Sequence, residues 1–138
     1  MTDSRLEALR GTRLATELTD RQAEALAAVL TLRDLKAGDV LVQEGTTDSH
    51  LYVIVKGVLG VVKNAGTPEA LTLHTLSAGD FVDELGFIDG TPYYASKVAM
   101  SDLTVLGLAR DRLEALLHEH PELVYRVMRA IVRVAHQI

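Results

Sequence analysis

The chain changes its hydrophobic rhythm twice. Across residues 4–30 apolar positions recur three and four apart, and Ala23, Leu26, Ala27, Val29 and Leu30 form a stripe behind Thr19. That spacing puts side chains on one face of a helix. Thr19 and Gln22 stand three apart, the offset at which each side chain accepts from the other's backbone N–H in a capping box. Gly11 is expected to split the segment into two helices. From about Leu35 the period shortens. Residues 40–43, 51–56, 58–63, 70–76, 95–99 and 104–108 are short runs rich in Val, Leu and Thr. Turn signals separate them, among them Ala37-Gly38-Asp39, Asn64-Ala65-Gly66 and Asp89-Gly90-Thr91-Pro92. Many short strands joined by tight turns predict a β-sandwich, jelly roll or barrel rather than βαβ units. Helical spacing returns at 111–118. Pro121 then sits where the first turn of a further helix, 122–138, tolerates proline.

One domain of three parts follows: an N-terminal helical segment (1–31), a β-roll (32–108) and C-terminal helices (109–138). Within it, LKAGDVLVQEG at 35–45 echoes LSAGDFVDELG at 76–86, an offset of 41 with five identical positions. Two copies are too few for a solenoid. They suit a rolled sheet whose two equivalent corners reuse one turn, with Gly supplying a positive φ and Asp bonding the turn's own backbone.

Composition removes several chemistries. There is no cysteine among the 138 residues, which excludes disulfide frameworks, thiolate metal sites and thiol nucleophiles. The first residues lack an apolar core and no stretch approaches 18 uncharged residues, so a soluble, cytoplasmic protein with no membrane partner is expected. His118 and His120 are two apart and point to different sides of a helix, and no strand carries a His-x-His pair, so no metal site is expected. No Gly-x-Ser-x-Gly or phosphate-loop motif occurs, and no catalytic residue is assigned. The net charge of −5 is concentrated in the roll, where ten acids meet five bases. That argues against nucleic acid as a direct partner. Arg126, Arg129 and Arg133 share one helical face, read as a solvated face with Glu122 pairing to Arg126.

In the last helix Val124, Met128, Ile131, Ala135 and Ile138 step four and three apart, the seam of a coiled coil. A second row, Leu123, Val127, Ala130 and Val134, widens the apolar face. One row would pack on the roll while the seam meets a second copy, predicting a homodimer.

The ordered motifs Leu35-Lys36-Ala37-Gly38-Asp39, Gly45, Leu51 to Gly57, Leu76-Ser77-Ala78-Gly79-Asp80-Phe81, Glu84-Leu85-Gly86 and Asp89-Gly90-Thr91-Pro92 resemble the cyclic-nucleotide-binding family of catabolite activator proteins and kinase regulatory subunits. The resemblance spans about residues 20–138. It implies a double-stranded, jelly-roll-like β-roll with N-terminal helices, a C-terminal dimerisation helix, and a small ligand in the roll read out through that helix. It further implies that a phosphate cassette aligns with residues 81–98. Glu84 falls where the family's Glu accepts from the ribose hydroxyl, and Leu85 and Gly86 fall on the corner helix. Tyr93 stands at the position of the arginine that pairs with the phosphate, Tyr94 where a small residue is usual, and Asp83 where a Gly precedes the Glu. The ligand-binding set is therefore Asp83, Glu84, Leu85, Gly86, Tyr93 and Tyr94.

Losing a guanidinium contact of about 1.5–3 kcal/mol weakens binding by about one to two decades, so standard cAMP or cGMP binding is not expected. Lys97 is the nearest base, but four extended residues span roughly 13 Å, so it is not expected to substitute. The expected function is a non-enzymatic regulatory module that binds a small ligand, with no assigned cofactor beyond the cyclic nucleotide of the resemblance, and signals to a partner protein. The alternative is a ligand-free dimerisation module whose pocket Tyr93 and Tyr94 plug. The chain ends at Ile138, before the helix-turn-helix domain of catabolite activator proteins, so no direct DNA binding is expected of it; whether it stands alone or was cut is open.

Overall fold

A computed structural model describes residues 4–47, 49–82 and 84–136, excluding the side-chain placement of 84–86. The N-terminal segment forms α1 (Ser4–Arg10), a 3₁₀ turn (Arg13–Glu17) and α2 (Asp20–Ala27). The break falls at Gly11. The capping box forms: Gln22 N–H donates to Thr19 Oγ1 at 3.2 Å and Thr19 N–H to Gln22 Oε1 at 3.0 Å.

Among the described residues, eight strands make two four-stranded antiparallel sheets. The first has the order β1 (Thr31–Leu35), β8 (Leu103–Ala109), β3 (His50–Lys56), β6 (Phe81–Val82). The second has the order β2 (Val40–Val42), β7 (Ser96–Ala99), β4 (Leu59–Lys63), β5 (Leu71–Leu76). The short strands and tight turns had indicated this architecture, but β1 and β6 carry too little apolar pattern to be read in advance. In β1 only Leu35 is buried. A corner helix, α3 (Glu84–Asp89), follows β6, and α4 (Arg110–Glu119) and α5 (Pro121–His136) follow β8.

The alternation of strand side chains sorts the core into two compartments. Leu51 and Val53 of β3 and Leu106 and Leu108 of β8 face the helices, where they join Leu9, Leu26, Leu123 and Val127. Tyr52, Ile54, Leu103 and Val105 from the same strands face the roll interior, with Leu41, Leu59 and Ala99 of the second sheet. The first sheet is thus covered on both faces. The second is covered on one, and β5 at its edge is exposed at every position except Leu76, which is partly buried.

The sequence echo is a structural one. At the first corner Lys36 N–H donates to Asp39 Oδ2 at 2.8 Å, and Gly38, at φ 95°, donates to Ala99 O at 2.7 Å. At the second, Ser77 N–H donates to Asp80 Oδ2 at 2.9 Å, and Gly79, at φ 91°, donates to Ile54 O at 2.8 Å. The carbonyls of Asp39 and Asp80 accept back from Ala99 and Ile54. Each corner therefore hooks its turn onto a strand of its own sheet: β7 for the first corner, β3 for the second.

On α5 the inward face is broader than one row. Leu123, Val124, Val127, Ala130 and Ile131 are all buried in the helix-side compartment. Val124 and Ile131, two of the five seam positions expected to meet a second copy, are thus spent on the chain's own core. Met128 is partly buried and Ala135 exposed, while Ile138 lies outside the described residues. The row left outward is Tyr125, Met128, Val132 and Ala135, again stepping three and four. It borders an open groove of about 410 Å³. The Glu122–Arg126 pair expected from i,i+4 spacing does not form. Arg129 and Arg133 instead both reach Glu17 in the 3₁₀ turn, at 3.6 and 3.5 Å, and fasten α5 to the N-terminal segment.

Candidate functional site

Between α3 and β7 the chain runs as an irregular segment, residues 90–95. Its backbone is held from several sides. Tyr93 N–H donates to Thr46 O at 2.9 Å, and Tyr93 O accepts from Gly45 N–H at 2.8 Å. Tyr94 O accepts from Lys63 Nζ at 2.7 Å. Ser96 Oγ accepts from Glu44 N–H at 2.9 Å. Glu44 completes the clamp, taking Asn64 N–H at 2.9 Å and Lys63 Nζ at 3.1 Å. The Asn64 hydrogen bond first, and Lys63 second, hold its carboxyl below the ordinary value. These contacts fix the backbone that carries the two tyrosines.

They diverge. Tyr93 is 4% exposed and belongs to the roll's apolar interior, while Tyr94 is 54% exposed on the rim. Between the two rings lies Lys97. Its Nζ is 5.3 Å from the centroid of Tyr93 and 5.4 Å from that of Tyr94, and donates to Ala95 O at 3.3 Å. Register explains the direction of the side chain. Lys97 shares a face of β7 with Ala99 and lies opposite Val61, whose neighbour on that face, Leu59, opposes Ala99. Leu59 and Ala99 line the roll interior, so Lys97 points inward. It is 3% exposed and, among the described residues, the one charged side chain that is buried.

The expected span of roughly 13 Å from position 93 to position 97 assumed four extended residues, whereas the ammonium lies 5.3 Å from the Tyr93 ring centroid. The strand begins only at Ser96, and residues 94 and 95 form a bend. The flexible lysine stem then folds back toward the Tyr93 ring. Parity was the available signal, since Ala95, Lys97 and Ala99 alternate with Ser96 and Val98.

At the other side of the site, Arg110, the first residue of α4, donates to the carbonyls of Phe87 and Ile88 at the end of α3, the second at 2.9 Å. Its guanidinium lies 5.6 Å from the Phe87 ring centroid. Lone carbonyls at a helix C-terminus favour a cation there. Phe87 in turn is buried in the helix-side compartment. The corner helix is therefore tied by one side chain to the start of the C-terminal helices, a link that no motif in the sequence announced.

Of the six ligand-binding positions expected from the sequence, the structure brings Tyr93 and Tyr94 together around Lys97. Asp83 lies outside the described residues, as do the side chains of Glu84, Leu85 and Gly86, whose backbone opens α3. Among the described residues, no group of three His, Asp or Glu side chains gathers as a metal site requires, and no helix is long and apolar enough to cross a membrane.

A two-sheet roll with a corner helix and a C-terminal helical pair is the fold of a cyclic nucleotide-binding domain. Residues 32–120 match the cyclic nucleotide-binding domain family, and the chain belongs to it. It is 31% identical over 92% of its length to the Pycsar effector protein BcPycTIR of Burkholderia cepacia, spanning 40% of that protein. It is 28% identical over 99% of its length to an uncharacterized NTE family protein of Mycobacterium bovis, spanning 22% of it. The chain thus covers well under half of these relatives. The crystal structure of a cyclic nucleotide-binding domain from Methylobacillus flagellatus superposes with a TM-score of 0.81 at 25% identity, covering 96% of this chain and 74% of that one.

Proposed function

We propose that this chain is a sensor module without catalysis of its own. A small molecule enters the roll beside α3 and residues 93–97, and its presence is passed to α5. The observation that carries this reading is the Arg110 bridge. A ligand that prefers one position of α3 shifts the equilibrium of whatever moves with α3. Arg110 makes α4, and through it α5, move together with α3. Amide exchange with and without cAMP or cGMP tests it: ligand should change exchange in α5 of the wild type, and the change should shrink in Arg110→Ala. An α5 response of equal size in both would refute the route.

The outward row on α5 supports a homodimer as the form that reads the signal. Tyr125 is 62% and Val132 52% exposed, and two helices presenting such rows bury them against each other. Sedimentation should give a dimer at micromolar concentration that Met128→Glu dissociates; a monomeric wild type would remove the dimer from the account. A second reading is favoured by the burial of Tyr93 in the roll's apolar interior. In it the roll is plugged and the chain serves as a ligand-free dimerisation module. No heat with either cyclic nucleotide, together with an intact dimer, would select it. The soluble setting, the partner protein that receives the signal, and the lack of direct DNA contact belong to the same reading.

A further inference from the structure

We infer that the outward groove of α5 takes an acidic amphipathic helix of the partner protein that receives the signal. The inference rests on the sensor reading and names the surface and the chemistry of that partner.

The groove combines two kinds of side chain. Tyr125, Met128 and Val132 line it together with Arg129 and Arg133. Tyr125 and Val132 are both more than half exposed. Arg126, Arg129 and Arg133 step three and four apart, so they form a second row along the flank of the apolar one. Apolar anchors at helical spacing are what another helix covers with its own apolar face. Arginines at the same spacing beside them call for carboxylates in register.

The basic row is short of acceptors. Glu17 meets both Arg129 and Arg133, at 3.6 and 3.5 Å, so one carboxylate serves two guanidinium groups. Arg126 buries its Nε with no hydrogen-bond partner among the described residues. A buried donor left unmet carries a desolvation cost. Glu122, the acid one turn before it, lines a different cleft with Arg21 and His120. Three guanidinium groups thus share Glu17 in a chain whose net charge is −5. Carboxylates on an incoming helix draw Arg126 into a charge-assisted pair and give the other two arginines a second acceptor.

The charge pattern chooses among occupants. A second copy covers the apolar row but presents the same arginines, with its own Glu17 already shared. An acidic helix meets both rows, so partner and second copy compete for α5. A nucleic-acid backbone has no use for Tyr125 and Val132, and three arginines make a thin footprint for phosphates. Two exposed apolar side chains also bury little area in a lipid surface.

Fluorescence anisotropy with two labelled synthetic helices, each about four turns long, tests the inference. The helices share one leucine row and differ only in carrying Glu or Lys beside it. Wild type should bind the Glu helix at least about tenfold more tightly than the Lys helix. Arg126→Gln breaks no ion pair of the structure. It should weaken the Glu helix about three- to fivefold, the scale of one partly exposed ion pair, and leave the Lys helix unchanged. Val132→Ser should weaken both, and circular dichroism establishes that each variant is folded. Should Arg126→Gln lose its fold, salt decides: the wild type's preference for the Glu helix should fall as salt is added. Equal affinity for the two helices, binding of neither, or an undiminished preference in folded Arg126→Gln overturns the inference. So does binding of duplex DNA or of phosphatidylserine–phosphatidylcholine vesicles where the Glu helix does not bind. The sensor reading fails separately, when cAMP and cGMP leave exchange in α5 unchanged while the preference for the Glu helix stands.

Discussion

The two apolar compartments share a wall, the first sheet, and differ in what they contain. The helix side is lined by aliphatic side chains and Phe81 and Phe87. Its helices are fastened by ordinary devices: the Thr19–Gln22 box, the broad buried face of α5, and the Glu17 pairs. The roll side is smaller and holds Tyr52, Tyr93 and, from β7, Lys97. A compartment needed only for stability has no use for a buried charge, because desolvating it is costly and apolar substitutes pack as well. On the proposed reading, the helix side serves stability and the roll serves recognition.

Substitutions can break that division, and the largest effect belongs to the helix side. Leu26 is 1% exposed, and Leu26→Ala should cost about 2–5 kcal/mol, read from urea unfolding. The ligand preferences of the folded fraction should be unchanged. If Leu26→Ala alters nucleotide selectivity, the compartments are not separate in function.

A smaller effect tests the clamp that joins loop to roll. The Glu44 carboxyl titrates below its ordinary value, 4.5, because Asn64 N–H and Lys63 stabilise its charged form. A depressed folded value means stability that is present above the unfolded value and lost as pH falls through the folded one. Glu44→Gln should therefore melt below wild type at pH 7, and the gap should close as pH drops beneath about 4. A gap that persists into acid would show that Glu44 acts through packing rather than charge.

Much of this layout was legible before the structure. The two Gly-Asp corners were readable because a turn's chemistry is local: Gly38 and Gly79 take positive φ, and Asp39 and Asp80 bond a backbone N–H three residues back. The capping box was readable for the same reason. β1 escaped notice because a strand at a sheet edge, with one buried residue, has almost no alternation to show. The outward row of α5 was misplaced by about one position along the helix. Two adjacent apolar rows can be divided between core and partner in more than one way, and only packing against Leu9, Leu116 and the first sheet decides. Lys97 was legible as a base but not as an inward one, since a lysine in a strand ordinarily marks the solvent face. The Arg110 bridge joins residues 22 and 23 apart in sequence, beyond the reach of any local pattern.

The division between a recognition roll and a structural helix side is tested most directly by amide hydrogen exchange of the wild-type protein at saturating cAMP or cGMP. Protection should concentrate in α3, residues 91–99 and the facing strand β4, with the interior of α2 unchanged. Uniform protection across both compartments, or none around Lys97 with bound nucleotide, would contradict it.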